Sequence, residues 1–577
     1  MAPSQMRLTW ALLPVLAAIV TVVLSPSSTL YCLPGDKCFP SEEKLQVFNA
    51  TVNGRLIKST PYGAACYSGS YDAEACKALA AQKHNVGYRL SLPAGLMYTN
   101  WEADGASGCP VPELPLDGSY PTPLPKKCSL GGMSSYVVNV TSRNDIALAV
   151  DFAAKHKLRF RIKNTGHDYK GRSSGPATFA VWTHHLTDLT YIKNFRPASC
   201  PPASMQDVIS VGPGVSFDEL YEFAHRNGVM TMGGWAGTVG AAGGYVLGGG
   251  IGPLGHFFGM GVDNIVQFEA ITADGHLRTI NKCRNADLFW ALRGGGGAFA
   301  AVTQVYYKLH RPQHSAVDTE SGQIVCANSA AYEGLIEAFV DLQEDLRKDG
   351  QTGIWTASSS PYVVALLFVR PFQAVQGHEE NMLDRWQSLT NLEGCQTKIQ
   401  SAHFPNWNAA FRAAIRPVIE AGSPIGTNAL VSSRLVSLDI MKSPERLRQV
   451  KDYIINLPAA SRFIWQNSVG DASAAIPRNE TAIHPEWRNA FAYVDTTVFG
   501  PWSGVTPEQD GLAKNISANA IAVFGTAAYY NEASVSEKDW QKSFWGTNYA
   551  RLLQIKARVD PNRVFSCRMC VGSERGF

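Results

Sequence analysis

The chain of 577 residues carries 51 Lys+Arg against 48 Asp+Glu, a formal net charge of +3, and 45% of it is hydrophobic. That composition excludes a disordered polyelectrolyte. The absence of any long block of like charge speaks against a nucleic-acid partner, which selects for a basic face. The length suffices for more than one hydrophobic core.

The first element is a targeting segment. Met1–Arg7 is short and weakly basic, and Leu8–Leu24 is apolar apart from two threonines. "SPSS" then supplies small residues, so residues 1–27 read as a cleaved signal peptide and the protein as secreted. Pro14 and the lack of flanking basic clusters argue against an uncleaved anchor, and no second stretch is long enough to span a bilayer. The 12 cysteines agree with that compartment. Six of them fall in the Pro/Gly-rich region before residue 129, which disulfides would staple. Cys32–Cys38, Cys66–Cys76 and Cys109–Cys128 are candidate pairs by proximity, although spacing does not fix connectivity. Cys567-Arg-Met-Cys570 is a lone CxxC without the further ligands a zinc site needs, and it reads as a structural disulfide. Sequons at Asn49, Asn139, Asn479 and Asn515 add candidate N-glycan sites.

Residues 31–129 read as loop-rich. From 130 the pattern changes to alternating strands and helices. "SSYVVNV" is a strand, "TSRNDIALAVDFAAKHK" a helix entered near Ser142 or Asn144, and "LRFRIKN" and "ATFAVWT" are further strands. "DVISVGPGVSFDELYEFAHRNG" gives a strand, a Gly-Pro-Gly turn and a helix from Ser216 to Gly228. "GVDNIVQFEAITADGHLRTIN" gives a hairpin about Asp274-Gly275, and "NADLFWALRGGGGAFAAVTQVYYKLH" a short helix, four glycines and a strand. From about 313 the glycine clusters vanish. Helical segments such as "AYEGLIEAFVDLQEDLRK" alternate with strands such as "PYVVALLFVRPF" and "NAFAYVDTTVF", as in an antiparallel α+β unit. "SFWGTNYARLLQIKARVDP" reads as an amphipathic helix stopped at Asp560-Pro561.

Two stretches are chosen for backbone shape. "RFRIKNTGHDYKGRSSG" (159–175) sets His167 among turn-forming Asn and Gly residues. "GGWAGTVGAAGGYVLGGGIG" (233–252) is costly in chain entropy, and is tolerated where backbone N–H groups must approach a guest, most often a phosphate. Neither a GxGxxG at the start of a first βαβ unit nor a GxxxxGK[ST] loop is present. No HxH or HExxH metal pattern appears, so no metal is expected.

Together with "GVDNIVQFEAITADGHLRTIN", "NADLFWALRGGGGAF" and the tail "YYNEASVSEKDWQKSFWGTNYARLLQIKARVDPNRVF", these stretches resemble the berberine-bridge-enzyme-like flavoproteins of the p-cresol methylhydroxylase / vanillyl-alcohol oxidase superfamily. The secreted, Cys-rich start looks most like fungal isoamyl-alcohol-oxidase-like and 6-hydroxynicotine-oxidase-like members. The resemblance implies an α+β fold: a two-lobed FAD-binding domain plus an antiparallel-sheet substrate domain with covering helices. It implies a Cys-rich part at 31–129, FAD binding at 130–312, a substrate domain at 313–518 and a returning C-terminal segment at 519–577.

It also implies roles. FAD is attached covalently through His167, on a loop whose Asn164, Thr165, Gly166, Asp168, Tyr169 and Gly171 wrap the pyrophosphate. Thr238, Gly240, Gly244, Gly248, Gly249, Val302, Asn548 and Tyr549 match further FAD contacts. Many relatives carry a second tether, a Cys in C-x-T-V-G. Here Ala236 holds that place, so a single tether is expected, and the family's GGH segment reads Gly243-Gly244-Tyr245. Cys200 and Cys283 lie off the motif and are expected in disulfides. The implied reaction is hydride transfer from a C–OH or C–N substrate, with O2 reduced to H2O2; the alternative is a dehydrogenase or cyclase of secondary metabolism. Candidates for the proton-accepting residue are Asp495, Tyr529, Tyr530 and Gln466. The partners expected are a small alcohol, amine, sugar or secondary metabolite, and O2.

Overall fold

The computed structural model describes residues 30–104, 108–114, 124–373 and 391–576, with Trp386 and Leu389 between the last two spans. The expected signal peptide lies outside the described residues. The strands fall into three sheets.

The first sheet has four strands in the order β1-β2-β4-β3: β1 (Leu56–Lys58), β2 (Tyr136–Asn139), β3 (Phe160–Lys163) and β4 (Phe179–Trp182). β2, β4 and β3 run parallel. The crossover between β2 and β3 is the helix Arg143–Lys155, whose buried Ile146, Ala149, Val150 and Ala153 repeat at helical spacing. Ser142 caps it, in a capping box with Asp145.

The second sheet is antiparallel, in the order β5-β6-β9-β7-β8: β5 (Leu189–Phe195), β6 (Gln206–Val211), β7 (Ile265–Ile271), β8 (Leu277–Asn281) and β9 (Ala301–Lys308). Between β6 and β7 come the helix Phe217–Arg226, capped by Ser216, and the glycine-rich segment.

The third sheet has seven antiparallel strands: β10 (Ala316–Cys326), β11 (Thr352–Ser359), β12 (Tyr362–Gln373), β13 (Cys395–Phe404), β14 (Asn428–Ser437), β15 (Ser461–Gln466) and β16 (Ala490–Gly500). Their order is β13-β10-β12-β11-β15-β16-β14. One face buries Trp355, Phe463, Trp465 and Val494 against the helices Ser329–Lys348, Pro444–Ile455 and Pro507–Phe524. The alternating residues of the other face turn toward the first two sheets.

Two sequence expectations are corrected. The region 31–129 holds helices at Glu42–Thr51 and Ala73–Gln82, each with a side-chain cap at its start, where the sequence reads as loop. Their weak amphipathic pattern hid them, because disulfides and caps hold them rather than a wide apolar face. The tail helix is two: Trp540–Trp545 ends at Gly546, whose φ of +53° breaks the axis, and Tyr549–Val559 follows.

All twelve cysteines pair, in six disulfides. The three pairs suggested by proximity form, Cys200 joins Cys283, Cys326 joins Cys395, and Cys567 joins Cys570. No helix among the described residues is long and apolar enough to cross a membrane.

Buried ion pairs tie the units together. Arg434 on β14 meets Glu537 of the tail at 3.0 Å. Arg488 grips Asp263 through two bonds of 2.7 Å, with both side chains about 2% exposed. Asp263→Ala leaves that guanidinium buried without its partner. It should cost about 3–5 kcal/mol, read as a lower midpoint in chemical denaturation; an unchanged midpoint contradicts this reading of the pair.

Candidate active site

β3 runs into the loop 164–175. Gly166 (φ +87°) and Gly171 (φ +66°) occupy the left-handed region there, which explains glycine at both places. The Trp182 indole N–H donates to the Asn164 carbonyl at 3.0 Å and pins the start of the loop. In its middle, His167 Nε2 lies 3.0 Å from Thr238 Oγ1 of the glycine-rich segment. Burial, with a contribution from the Lys163 ammonium, pushes the His167 imidazole down to about 4. The ring is therefore neutral at ordinary pH.

The loop is held from its far side. The Arg172 guanidinium bonds Asp168 through Nε at 2.8 Å and again through Nη2. Burial raises the Asp168 carboxyl, but Arg172 outweighs it and holds the group below its ordinary range. The same guanidinium lies 4.1 Å from the Tyr530 ring centre and donates to the Tyr530 carbonyl at 3.2 Å. Lys170 also donates to that carbonyl and sits 4.6 Å from the same ring.

Between this loop, the glycine-rich segment and the inner face of the seven-stranded sheet lies a cavity of about 1020 Å³. That is at the upper end of the roughly 300–1,000 Å³ typical of small-molecule sites. Of the residues predicted from sequence, Asn164, Thr165, Gly166, His167, Asp168, Tyr169, Gly240, Gly244, Val302, Gln466, Asp495, Tyr529 and Tyr530 border it, as does Ala236.

Six of the predicted contacts do not border it: Gly171, Thr238, Gly248, Gly249, Asn548 and Tyr549. Each has another task. A Cβ at Gly171 would meet the Trp101 ring at 2.9 Å, and one at Gly248 would meet Asn531 Oδ1 at 2.0 Å. Thr238 holds His167, and Gly249 (φ +124°) turns the chain beside Met260 and Tyr529. Asn548 donates to the Ile483 carbonyl at 2.8 Å, and Tyr549 donates to Glu574 at 2.7 Å.

The polar end of the cavity contains two carboxyls, the buried Asp495 and the half-buried Glu532. Asp495 on β16 is 4% exposed. Its burial, reinforced by Glu532, pushes its pKa well above the carboxylate range; Arg462, Tyr493 and Thr497 act against the rise. Burial also raises Glu532, against the pull of the Tyr493 hydroxyl, which donates to Glu532 Oε2 at 2.6 Å, and of Lys170. Tyr98 and Tyr169 stack beside them at 4.6 Å. The two candidate tyrosines are engaged differently. Tyr530 turns its hydroxyl to Cys570 Sγ at 3.2 Å. Tyr529 accepts from Asn531 Nδ2 at 2.9 Å. Gln466 Oε1 is 3.5 Å from Ser468 Oγ, which accepts from the Trp235 indole at 2.8 Å.

Glu532, Tyr493, Arg462 and Tyr98 were missed in the sequence. Glu532 stands within the "YYNEAS" segment, and Tyr493 is two residues from Asp495, hence on the same strand face. Arg462 becomes visible only through strand register, and Tyr98 only through the tertiary fold.

The cavity suits FAD. At Gly243, Gly244 and Gly297 an added Cβ would meet no protein atom within 4 Å, so these glycines present bare backbone to the cavity they border. Asn164 Oδ1, Ser173 Oγ and the Tyr245 hydroxyl, on residues of the same wall, have no protein partner. Unpaired buried polar atoms of this kind call for a ligand.

Residues 134–281 match the FAD binding domain family, and residues 528–571 match the berberine and berberine-like family. An uncharacterized FAD-linked oxidoreductase of Arthroderma benhamiae is 33% identical over 94% of this chain and 94% of its own length. The VAO-type flavoprotein oxidase VAO615 of Thermothelomyces thermophilus is 32% identical over 95% of this chain and 94% of its own. The crystal structure of the VAO-type flavoprotein MtVAO615 from Myceliophthora thermophila C1 superposes with a TM-score of 0.81 at 29% identity, covering 94% of this chain and 97% of that one. The chain therefore belongs to the VAO/berberine-bridge-enzyme-like family of FAD-linked oxidoreductases.

Proposed function

We propose that this protein is a secreted oxidase that removes a hydride from a C–OH or C–N carbon, with FAD tethered through His167 alone. The observation that supports it most is the neutral, half-buried imidazole of His167, fixed by Thr238 on the wall of the glycine-lined cavity. A neutral ring keeps a nitrogen lone pair available for bonding to carbon. Bound in the cavity, FAD would supply the hydride acceptor and the route by which O2 is reduced to H2O2.

The remaining tasks fall to the chain. Asn164, Thr165, Gly166, Asp168 and Tyr169 hold the cofactor from the loop, and Gly240, Gly244 and Val302 hold it from the opposite wall. Ala236 offers a methyl where a thioether would need sulfur. Asp495 accepts the substrate's hydroxyl or amine proton, with the hydrogen-bonded Tyr493–Glu532 pair beside it and Tyr529 and Gln466 orienting the substrate. Residues 31–312 and 519–577 form the cofactor part, and 313–518 the substrate part. Six disulfides support an extracellular setting. Asn479 and Asn515 are exposed and favoured for N-glycans, whereas Asn49 Oδ1 accepts from the Leu56 N–H and Asn139 Oδ1 is buried.

Three outcomes test this reading. Purified protein should stay yellow through acid precipitation, and His167→Ala should release all its flavin to the supernatant; covalent flavin persisting in that variant contradicts the assignment. A panel of alcohols, amines and sugars should yield one class that bleaches the flavin without air and gives stoichiometric peroxide with air. Bleaching without peroxide makes the protein a dehydrogenase or cyclase instead. Because Asp495 must be ionised to act and its pKa is raised, kcat/KM should climb as pH rises through that value. Asp495→Asn should remove this limb and lower kcat by roughly 10²–10⁴-fold.

A further inference from the structure

Arg462 on β15 borders the cavity beside Asp495. Its Nε is buried without a hydrogen-bond partner, and its guanidinium carbon stands 5.3 Å from the Phe499 ring centre. No carboxylate among the described residues forms an ion pair with it. Arg172, Arg434 and Arg488 by contrast have carboxylate partners in Asp168, Glu537 and Asp263, and the buried Arg161 has the Phe160, Ser174 and Ser566 carbonyls. A sheltered guanidinium is costly when unpaired. Its planar fork of donors matches a carboxylate edge to edge.

Strand register gives the position of this cation along the cavity. Arg462 faces Thr497, Ile464 faces Asp495 and Gln466 faces Tyr493 across the β15–β16 pair. Alternate residues share one face, so Arg462, Ile464 and Gln466 line the cavity in a row with Asp495 at the middle step. At about 3.3 Å per residue, Arg462 stands about 7 Å from the Asp495 level and about 13 Å from the Gln466 level.

We infer that Arg462 binds a carboxylate of the substrate, held about one two-residue step from the carbon oxidised at Asp495. The favoured substrates are hydroxy or amino compounds bearing an acid group several bonds from the reacting carbon. This inference rests on the oxidase reading of the same cavity. The same guanidinium chemistry would also suit the diphosphate of FAD, and the test separates the two.

The probes are the phenyl-substituted carboxylates from benzoate to 4-phenylbutyrate, each beside its neutral amide, titrated against the flavin spectrum of the holoenzyme. At least one carboxylate should bind about tenfold or more tightly than its amide. Arg462→Met should erase that margin and Arg462→Lys should keep part of it, both with the wild-type flavin content. Absence of any carboxylate preference in the wild type overturns the inference, as does a preference surviving in Arg462→Met. Loss of flavin from Arg462→Met assigns the guanidinium to the cofactor and likewise overturns it. Wild-type protein that holds no flavin contradicts the oxidase reading instead; tryptophan fluorescence then reads the same carboxylate–amide margin.

Discussion

The structure depends on the meeting of two segments some 360 residues apart: the loop after β3 and the Tyr529–Glu532 segment. Arg172 makes the joint. It grips Asp168 within its own loop and lays its guanidinium on the Tyr530 ring, while Lys170 caps the Tyr530 carbonyl. The glycine-rich segment, and the later glycine run at 294–297, then approach both. Gly240 leaves room for Asn164, Gly248 for Asn531 and Gly296 for Tyr530, where a Cβ would come within 2.1, 2.0 and 2.4 Å of side-chain atoms. Fixed this way, the loop can hold one imidazole at a defined place on the cavity wall.

The electrostatics follow from the same enclosure. Burial removes the proton from His167 and keeps protons on Asp495 and Glu532 to higher pH. On the loop's far side Arg172 keeps its charge against Asp168, while burial and that guanidinium push the Lys170 ammonium well below its ordinary range; Arg462 adds a cation on the sheet. Two chemical ends result: a neutral ring suited to carbon–nitrogen bond formation, and a carboxyl pair suited to taking a proton from a substrate.

Much of this was legible in the sequence. The turn-forming residues around His167 and the density of glycine announced a backbone-lined site, because few other structures tolerate that loss of chain freedom. Helix starts at Ser142 and Ser216 were readable through their caps. Asp495 stood out as a charge in an apolar strand. What stayed hidden depends on pairing between distant segments. Arg462 joins Asp495 only through the β15–β16 register. The hydrogen bonds of Asn548 to Ile483 and of Tyr549 to Glu574 likewise appear only once the turn at Gly546 is placed. The helices at 42–51 and 73–82 lacked a wide apolar face to betray them.

The central claim is that one side chain, His167, carries the cofactor. Mass spectrometry of the proteolysed, purified protein measures this directly. The account predicts that the peptide containing His167 carries the mass of FAD less two hydrogens, with the modification on that histidine and on no other residue. An unmodified His167 peptide from protein that retains its flavin would contradict it.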